Sequence, residues 1–276
     1  THGAQMNHIH LGNLWNKLGR HLEACRAVER DEFLNGHGSA LGALLVHTAD
    51  KVAECDAQAL ANIVGGIAHA GLGHTDEAQQ LFAHVATHAP PRLADFKAQD
   101  LAGTVWAFAA VGATDSDAAP LFDAVAHAVL GRLSEMRTQD LADVVWAFAK
   151  GDVPAPSLFG AVAQLIEGGS NRRMNDFHPR ELVSTAWAFA KSGNISPPLF
   201  DALARASARR VSVVPFAVPS LVVARRRSSS LVVVARRRSS SRGLRPKLAG
   251  EPLLARRDCK PRVGVCQGGQ PLGGAL

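Results

Sequence analysis

Tyrosine is absent from the 276-residue chain, and aromatic residues make up only 5% of it, while alanine is abundant. That balance favours closely packed helices over sheets, because strands draw on aromatic and β-branched residues. Cysteine is scarce: Cys25, Cys55, Cys259 and Cys266 form no C-x-x-C pair. Neither a zinc ribbon nor a disulfide framework is indicated, and a reducing compartment fits best. No apolar run reaches the roughly 18–20 residues of a membrane span. The longest candidate, residues 211–224, is interrupted by Pro215 and Pro219, so no membrane partner is expected. No G-x-S-x-G, P-loop or nucleophile-base grouping occurs, so no enzyme, no cofactor and no small-molecule substrate are expected. Twelve histidines are present, but the one close pair, His8 and His10, lacks an acidic or cysteine partner at ligand spacing. Metal binding is not expected either.

Negative charge is scarce at the end of the chain. Residues 211–276 hold 13 Lys+Arg against 2 Asp+Glu, a net of +11, whereas residues 1–210 carry a net of −5. The total of +6 is therefore a property of the tail. An argument for nucleic acid from bulk charge does not extend to the rest. A chain that opens on Thr1 rather than Met reads as a fragment or a processed form.

What the sequence does have is a phrase that recurs. Gln99-Asp100-Leu101-Ala102-Gly103-Thr104-Val105-Trp106-Ala107-Phe108-Ala109 returns at 139–149 and again, with Arg180-Glu181 leading, at 180–190. Trp106, Trp146 and Trp187 stand 40 and 41 residues apart, and a weaker copy at 58–68 sits 41 residues before the first. A fixed period of about 40 marks a repeat array. At 100° per residue, Phe108, Leu101, Val105, Ala109, Ala102 and Trp106 span an arc of about 160°. A helix apolar over so wide a sector touches neighbours on two sides. The arc places all three tryptophans in core packing.

The start of this helix recurs as well. Cys55, Phe96, Met136 and Phe177 each precede the motif leucine by five residues. With Asp56, Lys97, Arg137 and His178 as N-caps, each such pair has hydrophobic-staple spacing. Asp100, Asp140 and Glu181 then fall at N3, where a carboxylate suits the helix dipole. A second helix in each unit carries Leu81-Phe82, Leu121-Phe122, Leu158-Phe159 or Leu199-Phe200, with Pro120, Pro156 and Pro198 at the start of three.

Residues 1–54 read as an atypical capping unit. It comprises a helix from Leu11, a loop over Asp31–Gly38 and a second helix from about Ser39 to Glu54. After residue 210 the sequence turns to Leu-Val-Val-Ala-Arg-Arg-Arg-Ser-Ser-Ser in near-perfect duplicate, then to Gly, Pro and Arg. That composition predicts disorder over 211–276. The expected architecture is an all-α solenoid: a cap over 1–54, four helix-loop-helix units over 55–210, and a basic tail over 211–276.

The repeated Q-D-L-A-x-x-V-W-A-F-A followed by a Pro-x-Leu-Phe helix resembles the octotricopeptide-type repeats of algal organelle RNA-maturation and translation factors. It is also similar to the leucine-rich helical region of FAST-kinase-like proteins. The resemblance covers about 55–210. It implies single-stranded RNA as partner, a mitochondrion or chloroplast as location, and a role in RNA processing, stability or translation. Many such proteins end in an endonuclease-like RAP domain, and here the basic tail stands in its place.

Within the units, the position two after the motif leucine is Asn62, Gly103, Asp143 or Ser184. At about 200° it faces away from the apolar arc. Its small, mostly hydrogen-bonding residues differ from unit to unit, as one-base-per-repeat readout requires. Drift at an exposed position gives the same pattern. Gln58, Gln99, Gln139 and Arg180 in the first turn, and Lys150 and Lys191 in the last, are further candidates for RNA contact or for helix-end stabilisation. Gly66, Ala107, Ala147 and Ala188 are uniformly small, which points to a close neighbouring helix. The arginine clusters of the tail suit phosphate. Two readings follow: an organellar RNA-binding array or a fragment of a longer RNA-maturation factor, and a protein-protein scaffold of armadillo or HEAT type. A positive stripe along the groove favours the first, an acidic or apolar groove the second.

Overall fold

The computed structural model describes residues 6–168 and 176–211, together with two short strand segments further on. The chain divides after Phe216 into two units. In the first, ten α-helices succeed one another among the described residues: α1 (His8–Ala24), α2 (Ala27–Lys51), α3 (Ala57–Ala70), α4 (Asp76–His88), α5 (Ala98–Val111), α6 (Ala119–Leu130), α7 (Thr138–Lys150), α8 (Pro156–Gly168), α9 (Pro179–Lys191) and α10 (Pro197–Val211). Short 3-10 turns at Val52–Glu54, Pro90–Asp95 and Leu133–Glu135 lead into α3, α5 and α7. The protein is all-α over this unit.

Each repeated helix begins where its local chemistry places it. The N-caps are Asp56, Lys97, Arg137 and His178. The staple residues Cys55, Phe96, Met136 and Phe177 are all buried. The Asp100, Asp140 and Glu181 carboxylates accept the backbone N–H of the cap residue at 3.3, 3.0 and 2.9 Å. Asp56 instead accepts from the Ala59 N–H at 2.7 Å. Burial pushes the Cys55 thiol up to about 11, so this staple residue stays a protonated apolar filler.

Odd-numbered helices pack in succession, α1 on α3, α3 on α5, α5 on α7 and α7 on α9. Even-numbered helices do the same, α2 on α4 through to α8 on α10. Between the two layers runs a line of phenylalanines. Phe82 meets Phe108 edge-on at 4.8 Å, and Phe122 meets both Phe108, at 6.5 Å, and Phe148, at 5.2 Å. Phe159 meets Phe189 at 5.1 Å. The Leu-Phe of each even helix thus receives the W-A-F-A phenylalanine of the next odd one. Each edge-to-face pair contributes about 0.5–1.5 kcal/mol beyond area burial.

Two arginines join successive units in the same way. Arg92 donates to the carbonyls of Cys55 and Ala53, both at 2.6 Å. Arg132 donates to the Phe96 carbonyl at 2.5 Å. Both acceptor residues Cys55 and Phe96 are staple residues of the preceding odd helix. Such charge-assisted bonds contribute about 1.5–3 kcal/mol each.

At the N-terminal end the expected loop over Asp31–Gly38 is corrected. Those residues are helical, and the second helix of the cap starts at Ala27 and ends at Lys51. Phe33 and Leu34 pack against the core. Phe33 also stacks on His37 one turn later, with ring centroids 4.4 Å apart. These contacts offset the roughly 1 kcal/mol that each of Gly36 and Gly38 costs in a helix. The cap core closes on Trp15, fully buried, whose indole N–H donates to Thr48 Oγ1 at 2.9 Å.

In the second unit, Leu221–Val223 and Val233–Ala235 pair antiparallel, with Val222 opposite Val234. The two halves of the tandem duplication pair with each other. Val211 ends α10 and these six residues pair; the rest of the span 211–276, over which disorder is expected, lies outside the described residues.

Candidate nucleic-acid interface

The strip of each odd helix that neither layer covers is narrow. On α5, Leu101, Ala102, Thr104, Val105, Ala107, Phe108 and Ala109 are buried. Past the first turn only Gly103, Trp106 and Ala110 reach the surface, in line with the exposed Gln99. These four lie at about 140–200° from Leu101, one turn above another. The same strip on α7 carries Gln139, Asp143, Trp146 and Lys150, and on α9 it carries Arg180, Ser184, Trp187 and Lys191.

The expectation that the tryptophans are core holds in part: Trp106 and Trp146 pack against the hydrophobic core, and Trp187 stands outside it. Trp106 and Trp146 are half-buried, and Trp187 is 41% exposed. The buried sector extends the other way round the helix, through Thr104 and the small Ala107. Both face a neighbouring odd helix, which leaves the indole at the sector's edge. Ala107, Ala147 and Ala188 are fully buried, as is Gly66 within α3. A Cβ on Gly66 would collide with the Trp15 carbonyl oxygen. Helix packing explains these small positions.

One open cleft of about 520 Å³ joins the N-terminal parts of the uncovered strips. Asn62, Gly103, Asp143 and Ser184 all line it, together with Gln99, Gln139 and Arg180. Gln58 lies in an adjoining hollow of about 390 Å³, which it shares with Lys17, Lys97, Asn62 and Gln99. Lys150 and Lys191 lie outside the cleft lining, at the ends of α7 and α9. The Lys191 amine donates to the Lys150 carbonyl at 3.2 Å and pairs with Asp152 at 2.9 Å. That is the helix-end role of a cation.

No protein-family model and no curated protein matches the chain.

The cleft also holds residues not among the expected RNA contacts: Arg20 and Glu23 from α1, His69, Trp106, Arg137 and His178. Trp106 is three residues from Gly103, a same-face spacing that made it legible in principle. His69 stacks on Trp106 at 4.5 Å, and its Nδ1 lies 3.1 Å from Glu23. Asn16 donates to Asn62 at 2.6 Å, so one carbonyl lone pair and the amide donors of Asn62 face the hollow. Gly103 leaves open space, with nothing within 4 Å of where a Cβ would sit.

Arg20, Arg137 and Arg180 face Glu23, Asp100, Asp140, Asp143 and Glu181 across the lining. Arg137 holds the buried Asp140 with two bonds, 2.8 and 3.0 Å long. Asp143 has no such cation of its own. Burial, and then the charge of Asp140, push its carboxyl up to about 6, against the pull of Arg180 and a bond from Gln139. Near neutrality this carboxyl changes from hydrogen-bond donor to acceptor.

The consequence for stability has a definite sign. Unfolded, Asp143 ionises near 3.8, and folded near 6. The folded chain binds the extra proton between those values, so stability falls as pH rises through that window and stays lower above it. Asp143→Asn is expected to match the parent at pH 4 and to exceed it by about 1–2 kcal/mol at pH 7. Urea unfolding at the two pH values measures the difference. Equal stability of the two proteins at pH 7 refutes the account.

Among the described residues no helix is long and apolar enough to cross a membrane.

Proposed function

We propose that the repeated helices form an α-solenoid of units about 40 residues long that binds single-stranded RNA along the strips of its odd helices. The observation that carries this reading is the cleft. Asn62, Gly103, Asp143 and Ser184, each two residues after its motif leucine, line one continuous polar surface with Gln99, Gln139 and Arg180. Hydrogen-bonding groups that differ at an equivalent place in successive units suit the edges of successive bases. Lys17, Arg20 and Lys97 near one end suit phosphate. The resemblance to octotricopeptide-type and FAST-kinase-like repeats supports the same ligand, with action in RNA processing, stability or translation in a mitochondrion or chloroplast.

A second reading has its own support. The cleft lining carries five carboxylates against three arginines, and an acidic groove suits a basic peptide of a protein partner. Photocrosslinking of the full chain to total organellar RNA, with the crosslinked peptides mapped, separates the two. RNA binding by the array places crosslinks in α3, α5, α7 and α9. Crosslinks confined to 211–276, or none at all, overturn it. Competition by an arginine-rich peptide but not by RNA selects the scaffold.

A further inference from the structure

We propose that Trp106, Trp146 and Trp187 are stacking platforms for unpaired nucleobases, so that each unit reads one base with two side chains. The residue two after the motif leucine addresses the base edge, and the indole three residues later takes its face. This rests on the RNA-binding reading and adds a part to it that the repeat pattern alone assigned to the core.

The geometry points there from three sides. Trp106 lines the cleft with Gly103 on the same face of α5. Asp143 and Ser184 line it in their turn, each with a tryptophan three residues on, which is same-face helical spacing. The indoles also differ from Trp15, which the fold uses as core: Trp15 has no exposed surface and a satisfied N–H, whereas Trp187 is 41% exposed. An indole left so open forgoes much of the burial that a side chain of its size offers. Finally, each indole already has a ring partner. Trp106 stacks on His69 at 4.5 Å, and Trp146 and Trp187 stand 6.4 Å apart at 34°. The Lys191 ammonium sits 5.5 Å from the Trp187 ring centroid, held by Asp152. A cation beside an aromatic face combines the stacking surface and the phosphate contact that single-strand binders use.

Base-aromatic stacking contributes enough that loss of one platform weakens binding by about tenfold or more. The test uses the full chain, oligoadenylate as probe, and inorganic polyphosphate of equal charge as control. Oligoadenylate is expected to quench the fluorescence of Trp106, Trp146 and Trp187 and leave buried Trp15 emitting, while polyphosphate quenches little. Trp187→Leu, which removes the ring but keeps an apolar side chain at an exposed site, is expected to melt like the parent and bind oligoadenylate about tenfold more weakly. Binding seen by anisotropy without quenching, or undiminished in Trp187→Leu, overturns the stacking role and leaves RNA binding standing. Equal quenching by polyphosphate also overturns it. No binding of oligoadenylate by either measure removes both this inference and the reading it rests on.

Discussion

Gly66→Val is expected to destabilise the protein by about 3 kcal/mol or more, measured by urea unfolding with tryptophan fluorescence. α1 and α3 meet backbone to backbone. A Cβ on Gly66 would overlap the Trp15 carbonyl, and a Cβ on Gly19 would overlap the Gly66 carbonyl. No rotamer change relieves a clash with main chain, so the two helices must separate. Separation uncovers Trp15 and Ile63, both fully buried. The matched control is Gly103→Ala in α5, where a Cβ has open space. There the gain in helix propensity should raise stability by about 0.5–1 kcal/mol. Destabilisation by both substitutions alike would show that the close crossing is not the cause.

Phe108→Ala is expected to cost about 3–5 kcal/mol. Its ring is buried between Phe82 of the preceding even helix and Phe122 of the following one. Truncation removes two edge-to-face contacts and leaves a cavity where the layers meet. The half-buried Phe200 of α10 should cost clearly less when cut to alanine, because its site opens to water and can collapse. Thermal unfolding of both variants against the parent checks the order. A loss below about 1 kcal/mol for Phe108→Ala would mean that the line of phenylalanines does not hold the layers together.

The parts of this fold legible in the sequence are those set by short-range chemistry. Four N-caps, four staple residues and three N3 carboxylates stand where spacing alone puts them, because each depends on atoms within one turn. The start of α2 was not legible. Its glycines mimic a loop, and the contacts that override them, Phe33 and Leu34 on the core, are tertiary. The partial exposure of the tryptophans was not legible for a related reason. Periodicity measures how apolar a face is, and an indole is apolar whether it packs inward or stands at the rim. What decides is the small Ala107 on the opposite flank, which lets the neighbouring helix approach and turns the ring outward. The cleft itself was legible by position, since Asn62, Gly103, Asp143 and Ser184 meet in it. Its charge was not: whether Asp140 is exposed or locked to Arg137 depends on a bidentate pair that only coordinates show.

Arg92 and Arg132 reach back to the staple residues Cys55 and Phe96, 37 and 36 residues earlier. Donor and acceptor thus recur at nearly the span of one unit. A stretch of chain copied in tandem would carry a hook and an eye together, and the new copy would latch to its neighbours without any further substitution. Growth of such a protein by whole units would then need no rebuilding of the joints, whereas insertion of half a unit would leave a guanidinium with nothing to grasp.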